Sequence, residues 1–268
     1  MNTRKAISGR LPVLLLTFLA IVYPATGNEM ETPAGAPHNP RSVPVFQPGE
    51  RLEFSISWMG INAGSAILEV GSEVRIGEEK AYHITSTARS NDFISRFFPV
   101  EDRVETFMDP ERLFPLKFLL HQREGRRVKE RQVFYDQVRH KVTQLEEGKE
   151  EIFEIEPGAQ DALSALYFFR TLPIPSPGES VIIKVHEGDK NWDLEVRILD
   201  KERIDAPVGS FNTVKTIVKA RYEGVFMNKG DITVWFTDDP RHVPVQMQSR
   251  VVIGSVKATL VSQNLGNE

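Results

Sequence analysis

The sequence predicts a mainly β protein, an antiparallel meander with one or two short helices. Three observations carry this. Apolar and polar residues alternate at period two along most of the chain, turn residues fall between the alternating runs, and helical spacing appears in only two segments. The strands can be followed in order. Leu52, Phe54, Ile56 and Trp58 alternate with Glu53, Ser55 and Ser57. Trp192, Leu194, Val196 and Ile198 alternate with Asp193, Glu195 and Arg197. Val214, Thr216, Val218, Ala220 and Tyr222 share one face, with Lys215, Lys219 and Arg221 on the other. Ile232, Val234 and Phe236 lie opposite Thr233, Trp235 and Thr237. A slip of one residue would expose each apolar set to water, which fixes the registers.

Turn chemistry separates these runs at Gly60 to Gly64, Gly77 to Glu79, Asp109-Pro110, Gly125, Gly148, Asp189 to Asn191, Pro207 to Gly209, Asp238 to Pro240 and Gly254. Matching the template throughout gives roughly eleven to thirteen strands. A sheet of that size curls, splits or closes. Two segments break the pattern. Asp92 to Phe98 offers Asp92 as an N-cap, an apolar set of Phe93, Ile94, Phe97 and Phe98, and Pro99 as a stop. Asp161 to Leu172 offers Asp161 as a cap, Leu163, Leu166, Tyr167 and Arg170 at helical spacing, and Pro173 as a stop. Phe168 and Phe169 widen its apolar face, so this helix is expected to plug or cross the open face of the sheet.

The N-terminus carries an export pattern: Arg4, Lys5 and Arg10, then the apolar run Leu11 to Tyr23, then Ala25-Thr26-Gly27. The run is 13 residues long, short of the about 20 that a membrane span needs. Residues 1–27 are therefore expected to be a signal peptide cleaved near Gly27. Residues 28–44, with Pro33, Pro37, Pro40 and Pro44, form a flexible linker, and 45–268 a single antiparallel β domain. The expected location is the periplasm, with no membrane-spanning segment after cleavage. Loss of three basic residues takes the formal charge from −4 to −7, against a nucleic-acid binder. With no cysteine in the chain, a lipidated N-terminus of the lipoprotein type, disulfides and thiolate metal sites are excluded.

Motifs for chemistry are missing. There is no nucleophile elbow, Walker loop or dinucleotide fingerprint, and the six histidines form no metal-binding spacing, so no cofactor or metal is expected. Asp238-Asp239 before Pro240 is a turn. Glu101, Asp102 and Glu105 lie on a strand, where they mix faces and are expected to be solvated or paired with Arg103 and other bases. The basic run Arg123 to Arg131 has its middle at a hairpin turn on Gly125. Arg126 and Arg127 there could contact anionic head groups or a partner, against a plain reading as a charged tip that discourages edge pairing. Asp161 and Arg170 are the polar members of the apolar helix. With Tyr167, Trp58 and Trp235 they are the candidate lining of a ligand pocket, against a plain reading as an ion pair and aromatic core.

Several segments together resemble the bacterial exported proteins of domain of unknown function 3108. They are Gly49 to Trp58, Gly60 to Gly64, Asp161 to Arg170, Pro207 to Phe211, Trp235 to Val245 and Ile253 to Ser255, in the family's order. The resemblance implies a periplasmic protein with a strongly curved antiparallel sheet, an open barrel or β-spiral. It implies no activity and no catalytic residues. The leading expectation is a non-enzymatic envelope protein that binds an apolar ligand, such as a lipid, or a partner segment in its concave sheet. A protein-interaction scaffold for envelope assembly is the alternative, and a carboxylate-dependent hydrolase the third reading.

Overall fold

The computed structural model describes residues 45–222, 225–226, 231–251 and 254–266. The expected signal peptide and linker lie outside the described residues. From the first described residues the chain runs as a meander of β1 (Glu50–Trp58), β2 (Ile61–Ile76), β3 (Glu79–Ser90), the one-turn helix α1 (Asp92–Ser95), β4 (Val100–Met108), β5 (Pro115–Glu124), β6 (Arg127–Asp136), β7 (Lys141–Glu146) and β8 (Lys149–Glu154). Helix α2 (Ala162–Thr171) follows. A second meander comprises β9 (Ser180–Glu187), β10 (Lys190–Ala206), β11 (Gly209–Tyr222), the short β12 (Val225–Phe226) paired only with β11, β13 (Ile232–Thr237), β14 (Pro244–Arg250) and β15 (Ser255–Leu265).

The two meanders form one antiparallel sheet because its first and last strands pair. Strand β1 aligns with β15 from Glu50 opposite Leu265 to Trp58 opposite Val256. The sheet order is therefore β8 through β1, then β15, β14, β13, β11, β10 and β9. The free edges are β8 and β9, the two strands that flank α2 in sequence. The sheet is strongly curved and unclosed, as the sequence and the family resemblance led one to expect. Register shifts between β1 and β15, β2 and β3, β10 and β11, and β13 and β14 mark the bulges that bend it. Gly64 allows one close crossing, since a Cβ there would lie 2.0 Å from the Arg89 carbonyl oxygen.

The gap between the edges is bridged by side chains and by the segment leading into α2. Gln160 makes a parallel bridge to Val185, its N–H donating to the Lys184 carbonyl at 2.8 Å and its carbonyl accepting from the His186 N–H at 2.9 Å. Asn191 Nδ2 donates to the Glu154 carbonyl at 2.8 Å, and Phe153 packs on the His186 ring. Helix α2 then lies against the concave face, touching β9, β4 and β3. Leu163, Ala165, Tyr167 and Phe169 join one apolar cluster with Leu52, Phe54, Val104, Val185 and Phe236. The apolar sets read from the sequence form the core of that face: Leu52, Phe54, Ile56, Trp192, Leu194, Val196, Ile198, Val214, Ile232, Val234 and Phe236 are buried.

Two details differ from the sequence reading. Among the described residues there are fifteen strands, against eleven to thirteen expected, and the last of the first meander, β8, is the least patterned of them. In β8 nearly every residue is exposed, so the edge strand lacks the alternation that betrays a buried face. The cap of α1 is Asn91 and not Asp92. The Asn91 side chain accepts from the Ile94 N–H at 2.9 Å while its amide donates to the Asn62 carbonyl at 2.8 Å. That contact to β2 fixes the helix start one residue earlier.

Candidate functional site

Three regions concentrate polar groups: the inner helix, a charged stripe on the concave face, and the rim at the α1 end. On α2, the Asp161 carboxylate accepts from the Leu163 and Ser164 N–H groups at 2.8 and 2.7 Å, and Ser164 Oγ answers by accepting from the Asp161 N–H at 2.8 Å. This is a capping box. Thr106 Oγ1 of β4 donates to the same carboxylate at 2.5 Å. Burial lifts the Asp161 pKa to about 6, against the pull of those hydrogen bonds. Asp161→Ala is expected to destabilise the fold by about 1–2 kcal/mol, from the lost cap and a stranded Thr106 hydroxyl. A urea titration measures the loss, and an unchanged midpoint would contradict the capping role.

At the other end of α2, Arg170 forms a bidentate pair with Glu50, Nη1 and Nη2 reaching the carboxylate at 2.6 and 2.7 Å. Both side chains are 1 % exposed. The guanidinium also lies 5.6 Å from the Phe46 ring and 5.1 Å from the Tyr167 ring. His242 Nδ1–H donates to the Arg170 carbonyl at 2.9 Å. Tyr167 is fully buried, edge-on to Phe46 at 4.8 Å. The structure thus brings Asp161, Tyr167 and Arg170 onto one helix and satisfies Asp161 and Arg170 with protein groups, while Tyr167 packs through its ring and its buried hydroxyl has no hydrogen-bond partner among the described residues. The two tryptophans do not join them as a set. Trp58 ends β1, partly buried against the core. Trp235 lies on the opposite face of its strand from Val234 and Phe236, its indole N–H donating to Glu202 beneath Lys215.

The charged stripe was not foreseen. Asp102 is buried on the concave face and makes no pair with Arg103, a correction to the solvated or base-paired reading. Its Oδ1 accepts from the Arg123 N–H at 3.0 Å. Gln122, opposite it on β5, donates to Glu124 Oε1 at 2.7 Å. Burial raises Asp102 to about 6, and burial plus the neighbouring Asp102 charge raises Glu124 to about 7, opposed by Arg127. The stripe continues through Lys129, 3.0 Å from Glu146, to buried Arg131, which bridges Glu146 at 2.5 Å and Glu187 of the far edge strand. By contrast, Glu105 pairs with Arg103 and His83, and Glu101 with Arg89, as the sequence led one to expect. Parity could have found the stripe: Asp102 is in phase with Val104, Thr106 and Met108, and Gln122 and Glu124 with Leu116, Phe118 and Leu120.

The rim beyond this stripe is assembled from neighbouring turns. Asn91, at the start of α1, holds Asn62 of β2, and the Gly125 N–H donates to the Pro99 carbonyl at 2.8 Å. Gly125 has a φ of 60°, and a Cβ there would meet the Phe98 ring at 3.1 Å. Gly254 abuts the Met59 side chain. Four large apolar side chains stand out from this rim: Met59 (60 % exposed), Ile61 (59 %), Phe93 (59 %) and Phe97 (77 %). Phe93 and Phe97 meet edge-on at 5.8 Å. Arg126 and Arg127 are exposed at the adjoining hairpin tip, Arg96 between the two phenylalanines' turns, and Arg123 on the strand leading in.

No group of three or more metal-ligating side chains occurs among the described residues, and no helix there is long and apolar enough to cross a membrane. No curated protein matches the chain in sequence. Among solved structures, a beta-barrel-like protein of domain of unknown function DUF1849 from Brucella abortus superposes with a TM-score of 0.56 at 11 % identity, covering 85 % of this chain and all of that one. It supports the fold alone. A candidate lipoprotein from Parabacteroides distasonis matches at a TM-score of 0.37 and 9 % identity, over 84 % of this chain and all of that one. A candidate exported protein with a YmcC-like fold from Bacteroides fragilis matches at 0.34 and 12 %, with the same coverage. The family described as "Protein of unknown function (DUF3108)" matches residues 53–261, and the chain belongs to it.

Proposed function

We propose that this is a non-catalytic interaction protein of the cell envelope, exported to the periplasm, that works through the rim at its α1 end. The supporting observation is how the concave face is occupied. A carrier of an apolar ligand needs an apolar hollow. Here α2 lies in that place, with Leu163, Tyr167, Phe169 and Arg170 buried against the sheet. The apolar surface left to a partner is instead outside, at Met59, Ile61, Phe93 and Phe97, beside Arg126 and Arg127. Exposed aromatic and arginine side chains are the groups that dominate contact surfaces, and four grouped on one rim call for an explanation that scattered ones do not.

Photo-crosslinking in intact cells tests this reading. A photoreactive side chain at Phe97 is expected to capture an envelope component, whereas the same group at Val138, still more open to solvent on the β6–β7 turn, stays silent. Native mass spectrometry of the gently purified protein is expected to give the bare chain mass. A stoichiometric acyl ligand together with a silent Phe97 would restore the carrier reading in its place.

A further inference from the structure

We infer that the rim formed by the β1–β2 turn, α1 and the β5–β6 hairpin tip docks on the surface of an anionic phospholipid bilayer. The inference rests on the rim being the working surface, and names what it meets. Its first support is charge. Arg96, Arg123, Arg126 and Arg127 are all exposed, and none forms a salt bridge among the described residues. Of the nearby acids, Glu101 pairs with Arg89 and Glu124 is held inward by Gln122, while Glu130 contacts the His121 ring and Asp92 of α1 is exposed, so four arginines face two exposed acids. The chain as a whole has a formal charge of −4, so a cationic rim runs against the overall balance. It complements phosphate oxygens, which the guanidinium fork binds in pairs.

The second support is the form of the apolar groups. Met59 and Ile61 flank one turn while Phe93 and Phe97 stand on another, separate projections and not the walls of a groove. A protein partner would need matching pockets for each. The interfacial layer of a bilayer accepts such side chains individually while their cationic neighbours stay among the head groups. The turns that carry them are tied to the sheet by the Asn91–Asn62 and Gly125–Pro99 hydrogen bonds and by the Ser90–Ser95 hydroxyl contact at 2.7 Å. Ordering of the rim on contact is therefore small. Depth is limited to the side chains, since the acidic side chain of Asp92 on the same helix is exposed.

The test is co-sedimentation of the purified protein with vesicles of equimolar phosphatidylglycerol and phosphatidylcholine, against vesicles of phosphatidylcholine alone. Binding is expected to the anionic vesicles only, and to weaken as salt screens the rim. Arg126→Glu with Arg127→Glu is expected to weaken it by about thirtyfold or more, at about a factor of five per arginine near the surface. Phe93→Ser with Phe97→Ser is expected to weaken it about tenfold. All four positions are exposed, and an unchanged thermal midpoint shows that the variants still fold. As an independent readout, the emission of Phe97→Trp is expected to shift to the blue on anionic vesicles. Equal binding to both vesicle types, or unaltered binding by both double variants, would overturn the inference. Failure to bind either vesicle while Phe97 crosslinks to a protein in cells would overturn the bilayer and keep the rim. Failure of both would remove the rim reading as well.

Discussion

Replacing Arg170 with methionine while Glu50 remains is expected to destabilise the protein by about 3–5 kcal/mol, the largest single effect in the fold. The pair is fully out of solvent, and its two parallel hydrogen bonds hold the helix to the first residue of β1. Removing the guanidinium leaves a buried carboxylate with its ionic partner gone. Glu50→Gln is expected to be nearly as damaging for the converse reason, a buried guanidinium without its charge partner. Glu50→Leu with Arg170→Met should recover most of the loss, because a buried ion pair repays its desolvation only in part. Urea unfolding of the two singles and the double gives the coupling directly. Single variants within about 1 kcal/mol of the wild type would mean that the pair is hydrated and peripheral. The location explains the expected size. Glu50 pairs with Leu265 across the seam where the first and last strands meet, so the ion pair ties the inner helix to the one ladder that makes two meanders a single sheet.

Much of this architecture was legible in the residues. Period two at Leu52 to Trp58 and at Trp192 to Ile198 gave the buried face without any knowledge of partners, because a half-buried strand admits only one register. Asp161 before Leu163 and Ser164 gave the cap of α2, and the apolar width of that helix its place inside the sheet. The pairing of β1 with β15 was not legible. It joins residues at opposite ends of the chain, and a local pattern carries no information about which strand lies beside which. Edge strand β8 was hidden for another reason, since Lys149, Glu150 and Glu151 give it no apolar face. The role of Arg170 could be framed as an ion pair, but its partner Glu50 is 120 residues away in sequence. At the rim, Phe93, Ile94, Phe97 and Phe98 read as one apolar side of a helix from Asp92 to Phe98, whereas α1 ends at Ser95 and leaves Phe93 and Phe97 exposed. Asp102 was misread because three acids within five residues look solvated, whereas parity with Val104 sends that one alone to the concave face.

That placement has a consequence opposite in sign to ordinary acid denaturation. Asp102 and Glu124 hold their protons in the folded state up to about pH 6 and 7, while in the unfolded chain they release them near the usual carboxylate values. Between those limits the folded protein binds more protons than the unfolded one, so stability falls as pH rises. The contribution of this pair is fully present below the unfolded values and is lost as pH climbs through 6 to 7. A carboxylate next to a second carboxylate, with Arg127, His121 and hydrogen-bonding groups compensating only in part, has to ionise against burial and against its neighbour. The expected loss from pH 5 to pH 8 is on the order of 2–3 kcal/mol, since one pKa unit is worth about 1.4 kcal/mol and the two sites share one environment. Asp161 acts in the same direction. His186, whose pKa burial lowers, acts in the opposite one, losing stability as pH falls below its unfolded value. Glu105, Glu146 and Glu195, all lowered, matter only at more acidic pH. The pair is isolated by difference. Asp102→Asn with Glu124→Gln keeps the shapes and removes both titrations, so it is expected to flatten the wild-type slope and to be the more stable protein at pH 8. If unfolding midpoints of the two proteins run parallel across that range, the carboxylates are ionised throughout, and the concave stripe is compensated by Lys129 and Arg131 more completely than its geometry indicates.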